Sequence, residues 1–214
     1  MKSYSIQHTI DDLLIFIKRF VYLENDNDYL IVALFILATY CPETFNTFPY
    51  LFINGPHGAG KTTLLELIEA LGSKVVFASQ ITCAAIYHVL HEEMATILFD
   101  EAEYLTGDYL RIVRAGYKRS GYVITVHKNR EGIIRYSVRG LKVIARIKGI
   151  NDQALLSRCI KILMTISTKN LEYFCLDMHQ QEVGVVKSKI EALFADNNTK
   201  QLIRRNYYEF IKQQ

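Results

Sequence analysis

The stretch Tyr50-Leu51-Phe52-Ile53-Asn54-Gly55-Pro56-His57-Gly58-Ala59-Gly60-Lys61-Thr62-Thr63 decides how the rest of this chain is read. Four apolar residues in a row fit a buried strand. The glycines that follow fit a tight loop, and Lys61–Leu71 places Leu64, Leu65, Ile68 and Leu71 on one helical face before Gly72 stops it. Gly55 to Thr62 satisfies G-x-x-x-x-G-K-[ST] in full. Each position has a physical reason. Gly58 and Gly60 allow backbone angles that turn N–H groups inward around a phosphate. The helix behind them offers its positive end to the same anion. Lys61 adds a point charge for the β- and γ-phosphates, and the Thr62 hydroxyl suits Mg²⁺. The expected nucleotide contacts are therefore Gly55, Pro56, His57, Gly58, Ala59, Gly60, Lys61, Thr62 and Thr63, with ATP and Mg as cofactors.

Downstream, Ala95-Thr96-Ile97-Leu98-Phe99 is an apolar strand that ends in Asp100-Glu101. Behind a complete phosphate loop such a pair acquires a chemical meaning. Asp100 is expected to hold the metal with Thr62, and Glu101 to orient and deprotonate the attacking water. Glu103 reads as a bystander.

The remaining pattern alternates strands and helices. Strands are expected at 74–78, 122–126, 133–138, 141–147 and 160–166, and helices at 82–92, 108–119 and 152–157. Such alternation implies a three-layer α/β/α fold with a parallel central sheet, the P-loop NTPase class. Two helices, 11–22 and 29–40 with Asp28 as a cap, precede the sheet, and a helical pattern runs from Thr168 onward. The expected organisation is an N-terminal helical segment (1–48), an ATPase core (49–167) with a hairpin inserted at 122–138, and a C-terminal helical lid or tail (168–214).

The bulk numbers agree with a folded, non-membrane chain. Half of the 214 residues are hydrophobic and the net charge is +3, which gives a sizeable core but no strong electrostatic signature. Cys41, Cys83, Cys159 and Cys175 lie too far apart for a zinc knuckle and read as reduced thiols. Met1–Thr9 is polar and unlike a signal peptide. The apolar run Leu30–Ala38 falls short of the ~20 residues a membrane span needs. The chain reads as cytoplasmic.

Glu101 placed directly after the metal aspartate sets the chain apart from kinases and small GTPases and resembles the additional-strand ATPases of the AAA+ group. Over about Asp11 to Met164, the succession Phe48-Pro49-Tyr50-Leu51-Phe52-Ile53, Thr96-Ile97-Leu98-Phe99-Asp100-Glu101-Ala102-Glu103, Val113–Gly121, Arg139-Gly140-Leu141-Lys142-Val143-Ile144-Ala145 and Leu155-Leu156-Ser157-Arg158-Cys159-Ile160 is similar to the helicase-like ATPase domains of phage, plasmid and genomic-island replication proteins, often joined to primases. The resemblance implies a homo-oligomeric ring, DNA as a substrate, primases or other replication proteins as partners, and Arg158 as an arginine finger reaching a neighbouring subunit. It also implies a polar sensor at the end of the 141–147 strand, where this chain has Arg146 and Ile147. At the hairpin tip His127, Lys128 and Arg130 are candidates for sequence-independent phosphate contact. Lys118, Arg119, Arg135 and Arg139 lie close by in sequence. The rival functional class is an ATP-driven loader or remodeller of a protein partner. A third, a non-hydrolysing nucleotide-dependent interaction module, sits poorly with an intact Glu101.

Overall fold

The computed structural model describes residues 5–126 and 132–212, without the side chains of residues 210 and 211. In chain order the elements are α1 (Ile6–Phe20), α2 (Asp26–Ala38), β1 (Tyr50–Asn54), α3 (Lys61–Leu71), β2 (Val75–Ala78), α4 (Cys83–Glu93), β3 (Thr96–Phe99), α5 (Gly107–Ala115), β4 (Tyr122–Val126), β5 (Ile133–Ser137), β6 (Lys142–Arg146), α6 (Gln153–Leu156), β7 (Cys159–Leu163), α7 (Leu176–Ala195) and α8 (Asn197–Lys212). Single 3-10 turns occupy Pro42–Thr44 and Ala102–Tyr104. By packing, the chain forms two compact units. One gathers 1–45, 58–73 and 164–214, so far as these are described, and the other 46–57 and 74–163.

The first unit is helical. The Ser5 side chain accepts the His8 N–H and starts α1 five residues earlier than the apolar spacing suggests, which buries Ile10, Leu13, Phe16, Ile17 and Phe20. Asn25, not Asp28, caps α2, by accepting the Asn27 N–H. In this unit α7 lies against α1 and α3 and buries Val183, Val186, Ile190, Leu193 and Phe194. The helical pattern expected from Thr168 starts only at Leu176. Before it, the Glu172 N–H bonds to the Arg19 carbonyl, and the Arg19 guanidinium grips the Glu172 carboxylate at 3.0 and 2.7 Å and also the Glu182 carboxylate. A backbone N–H spent on another element cannot serve a helical turn.

The second unit holds a five-stranded sheet in the order β2-β3-β6-β1-β7, with every neighbouring pair parallel. Tyr50, Phe52, Ile97, Phe99 and Ile144 share one face with Ile86, Leu90, Ile112, Val113 and Leu155. The alternate residues Leu51, Ile53, Leu98, Val143 and Ala145 are buried as well, so these strands read as unbroken apolar runs. β2 is half-buried because it lies at the sheet edge. β4 and β5 form a separate antiparallel ribbon. Tyr136 of that ribbon stacks on Tyr87, meets His88 and His91 edge-on, and the Ser137 N–H donates to His91 Nδ1 at 3.2 Å.

α5 ends at Ala115, four residues earlier than expected. A Cβ at Gly116 would lie 2.2 Å from the Val138 carbonyl oxygen and 2.5 Å from Lys142 Nζ. The helix stops where that crowding begins, and 117–119 turns to bond with 46–48. Lys142 is fully buried, donates to the Val138 and Gly140 carbonyls at 3.1 and 3.0 Å, and sits 5.0 Å from the Tyr50 ring centre. Burial pushes its amine down from 10.5 to about 7. Between those values the unfolded chain binds a proton that the folded chain does not. Stability therefore rises with pH across that window and is lost progressively as pH falls from 10.5 to about 7, where the folded chain takes up the proton too. Lys142→Met should remove this dependence. Urea unfolding of wild type and variant should diverge in the wild type's favour from pH 7 to 10, by up to about 1.4 kcal/mol per pH unit. A constant difference would contradict the buried amine's role.

All four cysteines are free thiols, Cys41 buried and the others half-buried. Among the described residues no helix is long and apolar enough to cross a membrane.

Candidate active site

Because the sheet is parallel, β1, β3 and β6 deliver their carboxyl ends to one edge, the edge at which open α/β sheets bind ligands. The register places Phe99 level with Ile144, and Ile144 level with Phe52. Asp100 therefore leaves the sheet opposite Ala145 and Ile53, one residue before the level of Asn54. β6 is the single strand between β1 and β3, so the backbones behind which Gly55 and Asp100 follow run about 10 Å apart.

Behind β1, Gly55 is buried, Pro56 and His57 are exposed, and the chain turns through Gly58 (φ +76°) and Gly60 (φ +84°). Both angles are in the left-handed region that favours glycine. A Cβ at Gly58 would meet nothing within 4 Å, so the backbone angle, and not crowding, is what requires glycine there. Ala59 is buried. Gly60 is the N-cap of α3 and supplies no capping side chain, which leaves the helix's amino end suited to an external anion. Lys61, Thr62 and Thr63 form the first turn of α3, with Thr62 exposed and the other two half-buried. A loop of this shape, with a lysine and two hydroxyls in the first turn of α3, suits a phosphate anion.

Behind β3, Asp100 is buried and its Oδ1 accepts the Glu101 N–H at 2.9 Å. Glu101 is exposed and takes a left-handed backbone, φ +45° and ψ +45°, which is uncommon outside glycine. That kink, followed at once by the turn Ala102–Tyr104, breaks the strand alternation that would send the two carboxylates to opposite faces. Glu103, two residues on, accepts the Ile147 and Lys148 N–H groups at 3.0 and 3.5 Å through Oε1. Its local sequence gives no sign of this task, because its partners are 44 and 45 residues away.

Arg146 ends β6, with its Nε 3.9 Å from Glu103. It faces a cavity of about 360 Å³ that is also lined by Leu105, Thr106, Ile144, Ile150 and Asp152. Asn54, the last residue of β1, donates its side-chain N–H to the Arg146 and Ile147 carbonyls at 3.2 and 2.9 Å. Among the described residues no group of three or more His, Cys, Asp or Glu gathers as a metal cluster.

Arg158 lies elsewhere. Its carbonyl accepts the Tyr50 N–H at 2.9 Å, so it sits at the amino edge of the sheet, about 16 Å from the carboxyl edge by the rise of a five-residue strand. Its guanidinium bonds to the Ala154 carbonyl and lies 5.7 Å from the Tyr117 ring centre. His127, Lys128 and Arg130 fall outside the described residues. Of the neighbouring cations, Lys118, Arg119 and Arg135 are exposed. Arg139 is buried over the Phe48 ring at 5.1 Å and is not a surface contact.

No protein-family model matches the chain, and no curated protein matches it. Solved structures do. JCV Helicase with a bound small-molecule acetamide is 15% identical, with a TM-score of 0.47, over 88% of this chain and 54% of that one. The apo A form of the NrS-1 C-terminal region is 12% identical, with a TM-score of 0.50, over 87% of this chain and 43% of that one. The chain thus spans about half the length of the structures it matches. At such identities the likeness is one of fold, an α/β arrangement around a five-stranded parallel sheet.

Proposed function

We propose that the chain is a Mg²⁺-dependent ATPase of the P-loop class, of AAA+ type, acting as an oligomeric DNA helicase or translocase in the replication of a mobile element. The observation that carries the ATPase reading is the full G-x-x-x-x-G-K-[ST] sequence directly behind β1, with Asp100-Glu101 behind β3 and one strand, β6, inserted between. In this reading the backbone of Gly55–Gly60 and the amino end of α3 bind the phosphates, and Lys61 supplies charge at the β- and γ-positions. Thr62 and Asp100 hold the metal ion, which when bound offsets phosphate charge. Glu101 orients a water molecule and takes its proton.

The helicase part rests on the sequence resemblance and on the exposed cations Lys118, Arg119 and Arg135, with Lys128 and Arg130 following β4 in sequence. Turnover measured with and without single-stranded DNA tests it. Several-fold stimulation is expected. Indifference to DNA together with stimulation by a protein would favour a loader or remodeller.

Arg158 cannot serve the carboxyl edge of its own sheet, which favours action on a neighbouring subunit. Specific activity should then rise with protein concentration or with DNA that templates assembly. Mixing inactive Arg158→Ala and Glu101→Gln subunits should restore part of the rate, because some interfaces pair an intact site with an intact finger. Concentration-independent turnover without rescue would leave Arg158 with its observed task, holding Ala154 and Tyr117.

A further inference from the structure

The segment that leaves β6 is held from both sides. From β1, Asn54 and the Gly55 N–H bond to the carbonyls of Arg146 and Ile147, at 2.9 to 3.3 Å. From β3, a single oxygen of Glu103 accepts the N–H groups of Ile147 and Lys148 and faces Arg146. Burial works to raise the Glu103 carboxyl, but the backbone N–H groups of Ile147, Glu103 itself and Lys148, with the Arg146 charge, outweigh it and hold it below its ordinary value. Glu103 is a firmly engaged carboxylate.

Two residues before it, Glu101 carries a left-handed backbone. Such a conformation costs about 1 kcal/mol or more and persists only where the surroundings impose it. Two local bonds bear on it. Asp100 Oδ1 takes the Glu101 N–H, and the Glu103 N–H donates to the Glu101 carbonyl at 2.7 Å. The second of these places Glu103 at both ends of the constraint. Its backbone closes the kink at Glu101 and its side chain ties the kink to the strand next door.

We propose that Glu103 is a positioning residue for Glu101, its carboxylate fixing the loop behind β3 to the segment behind β6 and so setting the direction in which the Glu101 carboxylate projects. This rests on Glu101 being the base of the ATPase reading. Glu103 touches neither nucleotide nor water in this account. Losing it costs rate and spares binding.

The test compares Glu103→Ala, Glu103→Gln and Glu103→Asp in the full chain. The alanine variant should lose about tenfold or more in kcat, while KM and the affinity for a fluorescent ATP analogue stay within about twofold. Glutamine keeps an oxygen that accepts both N–H groups and should recover most of the rate. Aspartate is one methylene short and should fall between, which keeps the geometry testable should the alanine variant fail to fold. Amide hydrogen exchange at Ile147 and Lys148 should accelerate in Glu103→Ala. In a Glu101→Gln background, Glu103→Ala should cost nothing further, since residues acting as a unit are not additive. An inactive Glu101→Gln beside a fully active Glu103→Ala would overturn the proposal alone, as would the same fractional loss in both backgrounds. Full turnover in Glu101→Gln would remove the base assignment itself, and the proposal with it.

Discussion

Glu101→Gln should slow ATP hydrolysis by about 10² or more, the scale of a lost general base, while nucleotide and Mg²⁺ still bind. Gln has the shape of Glu but accepts no proton from water at neutral pH, so the loss falls on the chemical step. Glu101 is exposed at the carboxyl edge of the sheet, so the change leaves no buried group without a partner. Asp100 differs. It is buried and bonds the Glu101 N–H, and Asp100→Asn should shift the Mg²⁺ titration to higher concentration. Single-turnover kinetics and a metal titration on both variants separate the two roles. Matching behaviour in binding and in rate would contradict the division.

Lys61→Ala should abolish turnover and weaken nucleotide binding by about 10- to 100-fold, the equivalent of losing a charge-assisted hydrogen bond of about 1.5–3 kcal/mol. Lys61 is the first residue of α3, directly behind the left-handed Gly60. In the proposed site its charge and the helix's amino end would act on one anion. Fluorescence titration of an ATP analogue and phosphate release measure the two effects. Near-normal turnover in the variant would remove the phosphate-loop assignment.

The sequence made the sheet edge legible because local signals suffice there. A four-residue apolar run followed by glycines leaves little choice but strand, turn and helix, and α3 has the bounds its periodicity implies, Lys61–Leu71. The same holds for β3, Thr96–Phe99. What escaped depends on residues far apart in the chain. α5 stops early because Gly116 faces Val138 and Lys142. Residues 168–175 are not helical because Arg19 claims the Glu172 N–H. Arg139, close in sequence to the hairpin cations, is buried over Phe48. Glu103 reads as one more acid after a strand until the β3–β6 register brings Ile147 to its carboxylate. The division of the chain was also beyond local reading. α3 is continuous with β1 through the loop, yet it counts by packing with the terminal helices.

The central claim, that Gly55–Thr63 with Asp100 and Glu101 forms a nucleotide·Mg²⁺ site, is tested most directly by a crystal structure with a non-hydrolysable ATP analogue and Mg²⁺. The account predicts the phosphates within hydrogen-bond reach of the Gly55–Gly60 backbone and of Lys61, with the metal on Thr62 and near Asp100. An analogue bound away from the phosphate loop, or a metal held without Thr62 and Asp100, would contradict it.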